Sequence, residues 1–357
     1  MVPDLRNEFF IGRDAFLKTL RRKFQGTYSP DTRYQGRIAL FGMGGIGKTQ
    51  IALEFIYRSR ASASYSRIYW ISAVTQESLL DGYEKIAKLA KIPMPRDSKP
   101  IDAAEQVLSW LKITPSWLLV LDNLDDITNL STRNLGKSNI VSVLLPETGP
   151  GQHILITTRN PHVPAQGLEV PLFKERDSIA LLSSLSEIQV CPGSEEYMVA
   201  QRIAKELGNL PLAISQAGPF IKLKSDRSFS KFIEQYAESR SRVNAWVPQG
   251  PRSYPHSVAT TWIMSFNEIR TNNPIAEGLF HLLAFLNADG ILIGFLKSGA
   301  ESMDEDLQRL LLNEFEFSEA LLTFETFSLI KWDRKTAVSG FIDSCKPSSK
   351  MKCQIRI

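Results

Sequence analysis

Residues 42–49 read Gly-Met-Gly-Gly-Ile-Gly-Lys-Thr. They lie between a strand-like Arg-Ile-Ala-Leu-Phe at positions 37–41 and a run over 48–60 that puts Ile51, Ala52, Phe55 and Ile56 on one helical face. A glycine-rich bend between a strand and a helix lets successive backbone N–H groups point at phosphate oxygens, and the helix N-terminus adds partial positive charge. Lys48 then supplies a full charge, and the Thr49 hydroxyl is placed to ligate Mg²⁺. Gly42 and Gly47 fall where any side chain would block either the phosphate or the turn. The expectation is a loop that binds a nucleoside triphosphate.

The surrounding pattern fits an α/β domain. A helix is expected within 9–24, ahead of the first strand. Arg-Ile-Tyr-Trp-Ile-Ser at 67–72, Ser-Trp-Leu-Leu-Val-Leu at 116–121 and Gln-His-Ile-Leu-Ile-Thr-Thr at 152–158 read as further strands, with a weaker fifth at 168–172. Helical spacing over 76–91 and 102–111 separates them. Near-continuous apolar strands alternating with helices describe a parallel sheet covered by helices on both faces. This is a phosphate-loop NTPase sheet, expected over residues 1–170.

Beyond residue 172 the strand signal gives way to helices at 177–186, 195–207, 212–222 and 229–238, with Gly208 as a C-terminal stop. That predicts a small helical domain over 171–250. Three prolines and a glycine within 247–255 read as a linker. Short helices at 259–268, 275–285, 306–311 and 317–326, followed by a strand-like 328–332, fit a partial winged-helix domain over 255–337. After Thr336 the hydrophobic periodicity stops.

Composition narrows the function classes. Cys191, Cys345 and Cys353 have no metal-ligand spacing, and so sparse a count argues for a reducing compartment. The amino terminus lacks a signal-peptide pattern and no apolar run approaches about 18 residues, so a cytoplasmic protein without a membrane partner is expected. His153, His162, His256 and His281 are scattered, which speaks against a metal enzyme. Net charge is +4, but residues 331–357 carry seven Lys or Arg against Asp333 and Asp343, leaving the rest one charge below neutral. A neutral body with a short basic tail lacks the stripe of a nucleic-acid binder.

Candidate chemistry gathers at the ends of the expected strands. Asp122 terminates one of them, where a second Mg²⁺-coordinating acid is needed; a plain strand-end carboxylate is the alternative. Asn123 follows and cannot act as a general base. Asp125 and Asp126 are substitutes within reach, though a solvated turn accounts for them equally well. Arg159 directly follows the next strand, on the rim where ligands of parallel sheets sit, and is placed to sense a γ-phosphate. A solvated loop arginine is the alternative.

Six segments together resemble the NB-ARC class of signal-transduction NTPases, found in plant disease-resistance proteins, the apoptotic protease-activating factor and fungal proteins with tetratricopeptide tails. Phe10-Ile11-Gly12-Arg13-Asp14 is similar to the family's amino-terminal motif, whose backbone holds adenine. The loop at 42–49 is the family's version of the phosphate loop, and Ile68-Tyr69-Trp70-Ile71 resembles its second strand. Leu-Leu-Val-Leu-Asp-Asn-Leu-Asp-Asp at 118–126 resembles the Walker B segment of the fungal branch, and Ile-Leu-Ile-Thr-Thr-Arg-Asn at 154–160 its sensor strand. Gly-Asn-Leu-Pro-Leu-Ala at 208–213 stands where the family has Gly-Leu-Pro-Leu-Ala, whose proline packs on adenine. The resemblance implies ADP or ATP with Mg²⁺ as ligands, Thr49 and Asp122 holding the metal. The nucleotide contacts it implies are Ile11, Arg13, Gly42, Gly44, Gly45, Ile46, Gly47, Lys48, Thr49, Gln50, Arg159 and Pro211. It also implies an ADP-closed, ATP-open switch with self-association when ATP is bound, a protein partner of unknown kind, and slow hydrolysis. The rival expectations are an active AAA-like ATPase and a truncated remnant without signalling.

One family contact is missing. A histidine is expected in the winged helix, within a Val-His-Arg-Leu-Val-Gln type of stretch, yet no histidine follows His281. Residues 340–346, Gly-Phe-Ile-Asp-Ser-Cys-Lys, can be back-translated so that a shifted frame spells Val-His-Arg-Leu-Val-Gln, and there the codon overlapping Ile342 encodes only His or Tyr. Residues 338–357 are therefore expected to be a non-family tail, read in a shifted frame from Phe341, which transcript sequencing checks.

Overall fold

The computed structural model describes residues 6–26, 34–95, 97–131, 144–246, 266–267, 269–271, 273–286, 289–326, 329–332 and 354–356. It divides into two compact units, Met1–Phe173 and Lys174–Ile357.

The first unit is built from α1 (Asp14–Gln25), β1 (Arg37–Phe41), α2 (Lys48–Ala61), β2 (Arg67–Ser72), α3 (Gln76–Leu89), α4 (Pro100–Ile113), β3 (Trp117–Asp122), β4 (Gln152–Thr158) and β5 (Gln166–Glu169). All strand pairs are parallel, in the order β2-β3-β4-β1-β5. Burial matches that order. Every residue of β3 and β4 is buried, so these strands take the middle, whereas β5 is largely exposed and forms an edge. β5 lies two to three residues earlier than its hydrophobicity suggested, because an edge strand has little burial to set its register.

Alternation assigns the faces. Ala39, Ile71, Leu119, Leu121, Ile154 and Ile156 share one core with Leu79, Tyr83 and Ile86 of α3 and Ala104, Val107 and Leu111 of α4. Here α3 approaches β2 so closely that a Cβ on Gly82 would stand 2.4 Å from Ile71 Cγ2. The alternate residues Ile38, Leu40, Leu118, Val120 and Leu155 are buried on the opposite face. On that side Phe24 of α1 packs against Phe55 of α2 (5.6 Å between centroids) and His153 of β4 (4.7 Å). The result is an α/β phosphate-loop sheet with helices on both faces.

The second unit opens with α5 (Glu175–Ser186), α6 (Glu195–Glu206), α7 (Pro211–Lys224) and α8 (Phe229–Trp246). Gly208 and Asn209 are both left-handed, at φ 63° and 50°, and this turn separates α6 from α7. α5 and α7 are in close contact: a Cβ on Gly218 would lie 2.4 Å from Leu185 Cβ. Phe232 of α8 joins Phe220 and Tyr236 in an aromatic cluster.

Next come α9 (Pro274–Phe285), β6 (Asp289–Leu292), α10 (Ile293–Ser298), α11 (Glu305–Leu312), α12 (Glu314–Thr326), β7 (Lys331–Trp332) and β8 (Gln354–Arg356). The three strands form an antiparallel sheet in the order β6-β8-β7. β6 and α10 carried no periodic signal, and β8 comes from the stretch where periodicity stops. The linker expected at 247–255 and the stretch 333–353, with most of the shifted-frame segment, lie outside the described residues.

His153 supplies a test of the first unit. Its Nδ1 is 2.8 Å from the Tyr65 hydroxyl, and burial pushes its imidazole from 6.5 down to about 4. The folded state therefore holds neutral histidine in the window where the unfolded chain is protonated. Stability should fall by about 3 kcal/mol as pH drops from 6.5 toward 4, and His153→Gln should remove that increment in urea midpoints measured across this range.

Candidate functional site

The phosphate loop is wound by its glycines. Gly42, Gly45 and Gly47 have φ of 149°, 78° and 93°. A Cβ on Gly47 would meet nothing, so backbone conformation, not crowding, demands glycine there. Gly44 and Ile46 are buried beneath the loop. Gly47 is the N-cap of α2, and Lys48 and Thr49 are its first two residues, so the helix N-terminus opens at the loop.

Lys48 is buried, and its Nζ donates to the carbonyls of Gly42 and Met43, both at 2.9 Å. Burial pushes the ammonium below the ordinary lysine range. The surrounding charges act in the order Asp125 (raising), Arg159 (lowering) and Asp122 (raising). The Thr49 hydroxyl donates to Asp122 Oδ1 at 2.9 Å. A hydroxyl and a carboxylate oxygen so close together form a hard-donor pair suited to Mg²⁺, which takes one or two protein ligands beside phosphates and water. Among the described residues no group of three or more His, Cys, Asp or Glu forms a metal cluster.

Strand order accounts for a residue that the sequence reading passed over. Because β4 runs between β1 and β3, its end stands between the phosphate loop and Asp122. Thr157, fully buried, donates to Asp122 Oδ1 and accepts from the Asn123 N–H at 2.9 Å. The available signal was two threonines directly after the apolar Ile-Leu-Ile at 154–156.

The chain leaves β3 through Asn123, left-handed at φ 60°, and the Leu124 N–H donates to the Thr157 carbonyl at 2.9 Å. This turn directs Asp125 to Arg159. Asp125 Oδ1 accepts the Arg159 backbone N–H at 2.6 Å, and Oδ2 pairs with Arg159 Nε at 3.2 Å. Asp126 instead accepts from Thr128 N–H and hydroxyl at 2.8 and 2.7 Å, capping a short 3₁₀ turn; those bonds hold its carboxyl below the usual range.

The amino-terminal motif also reaches the loop. Arg13, left-handed at φ 65°, lies 4.7 Å from the Phe173 ring, and its guanidinium donates to the carbonyls of Ile46 (3.4 Å) and Leu172 (3.5 Å). Gln50 accepts from Asn7 Nδ2 at 3.0 Å. Ile11 is half-buried in the same segment. Arg6 and Arg58 bracket the buried Glu54 at 2.8 Å each, joining that segment to α2. Pro211 is the first residue of α7, in the second unit.

A family model described as the NB-ARC domain matches residues 19–208. A nucleotide-binding leucine-rich repeat (NLR)-like protein of Hyaloscypha variabilis is 31% identical over 311 residues, covering 81% of this chain and 31% of that protein. The chain thus spans about a third of that relative's length. Among solved structures, a Walker-type ATPase of Pyrococcus abyssi overlays with a TM-score of 0.41 and 12% identity, over 93% of each chain. Cdc6p of Pyrobaculum aerophilum overlays at 0.42 and 14%, over 100% of this chain and 91% of that one. At such scores these overlays add nothing to the strand order.

The threonine bridge is open to test. Thr157→Val removes one donor to Asp122 and leaves the Asn123 N–H without its acceptor, so the first unit should lose about 1–3 kcal/mol in urea unfolding. Thr157→Ser should restore most of it.

Proposed function

Because the chain belongs to the NB-ARC family, we propose that it is a cytoplasmic ADP/ATP switch that hydrolyses ATP slowly and self-associates in the ATP-bound form to signal through a protein partner. The observation that carries this reading is the convergence of Lys48, Thr49 and Asp122 at the end of β1 and β3, a phosphate grip and a metal-ligand pair on one rim. No helix among the described residues is long and apolar enough to cross a membrane.

In this reading the loop N–H groups of 42–47 hold the α- and β-phosphates, Lys48 neutralises them, and Thr49 with Asp122 holds Mg²⁺. Arg159 senses the γ-phosphate. The amino-terminal segment with Ile11 and Arg13 holds adenine, and Gln50 follows the loop on α2. Residues 1–170 act as the nucleotide-binding domain, 171–250 as the helical domain and 255–337 as the winged-helix domain. Hydrolysis is slow because Asn123 stands where the second acid belongs, while the carboxylates that follow it are engaged, Asp125 with Arg159 and Asp126 with Thr128.

The test is light scattering of the purified protein with ADP or a non-hydrolysable ATP analogue, alongside ATP turnover. A mass increase with the analogue alone and turnover well below ~1 s⁻¹ is the expected outcome. Rapid continuous turnover with no change in mass would instead mark an AAA-like ATPase.

A further inference from the structure

Arg159 is placed by the sheet. Thr158 pairs with Phe41 across β4 and β1, so the next residue on each strand, Arg159 and Gly42, brings the arginine beside the start of the phosphate loop. Asp125 comes from the neighbouring β3 end. It takes hold of Arg159 at two points, with one oxygen on the backbone N–H and the other on the guanidinium. Both oxygens of that carboxylate thus have a partner in the same residue. Asp125 and Arg159 are also, in that order, the two charges that Lys48 feels most.

The charges acting on Lys48 are thus the cation Arg159 and the carboxylates Asp125 and Asp122. A diphosphate is served by the loop amides and Lys48. A triphosphate must also draw the Arg159 guanidinium to its terminal phosphate, and the guanidinium is already paired. On the reading of this site as an ADP/ATP switch, we propose that Asp125 is a selectivity residue that favours ADP over ATP by holding Arg159 away from the γ-phosphate. Asp125 competes with the third phosphate for one guanidinium. The second phosphate meets no such competition. Asp125 acts through Arg159, as a positioning residue.

The pair is half-exposed, so the effect is modest: roughly five-fold in the ratio of affinities, the size of one solvent-screened ion pair. Asp125→Asn is the informative variant because its side-chain oxygen still accepts the Arg159 N–H while the charge is lost. ADP and a non-hydrolysable ATP analogue are titrated against the full chain as wild type, Asp125→Asn, Arg159→Ala and the double variant. The expected result is a shift of about five-fold toward the triphosphate in Asp125→Asn, and no further shift from that substitution in the Arg159→Ala background. A merely structural role would weaken both nucleotides together and leave the ratio unchanged. An unchanged ratio, or a shift toward ADP, overturns the proposal while nucleotide binding stands. Failure of the wild type to bind either nucleotide overturns this proposal together with the switch reading.

Discussion

The Asp122 carboxylate is the point on which the site depends. One of its oxygens takes hydrogen bonds from Thr49 at the start of α2 and from Thr157 at the end of β4, while its own strand pairs in parallel with both β2 and β4. Three elements that share no sequence neighbourhood are thereby fixed at one rim. The carboxylate is buried, and a buried charge is tolerated only when it is hydrogen-bonded. Both of those bonds come from hydroxyls. The same residue type on an exposed turn, as Asp126, ends as a helix cap.

The parts legible in the sequence were those where burial alone decides. β1, β2 and β4 occupy the expected 37–41, 67–72 and 152–158, and Lys48, Thr49 and Asp122 meet as their spacing around strand ends suggests. Elements with little burial were placed poorly or missed. β5 was displaced, and β6 is a four-residue strand containing a glycine, too short for a period to show. α8 runs on to Trp246, eight residues past its expected end, because no glycine or proline interrupts it before Pro248.

Within the site, what sequence could not supply was connectivity. The placement of Thr157 between loop and acid follows from β4 entering the sheet between β1 and β3, and strand order is not written in the apolar runs themselves. The division of labour between Asp125 and Asp126 depends on the left-handed Asn123, which turns the first toward Arg159 and leaves the second to a 3₁₀ turn. Both carboxylates looked equivalent as substitute bases. The fold gives them different partners.

Family membership, the loop geometry and the Thr49–Asp122 pair converge on one claim, that this rim holds an adenine nucleotide. Its most direct test is the nucleotide content of the purified protein, released by denaturation and resolved by ion-exchange chromatography, with Lys48→Ala prepared in parallel. The account expects about one ADP per chain in the wild type and none in the variant, since the variant loses the only full charge the loop itself contributes. Wild-type protein that emerges empty and takes up neither added ADP nor added ATP would contradict it.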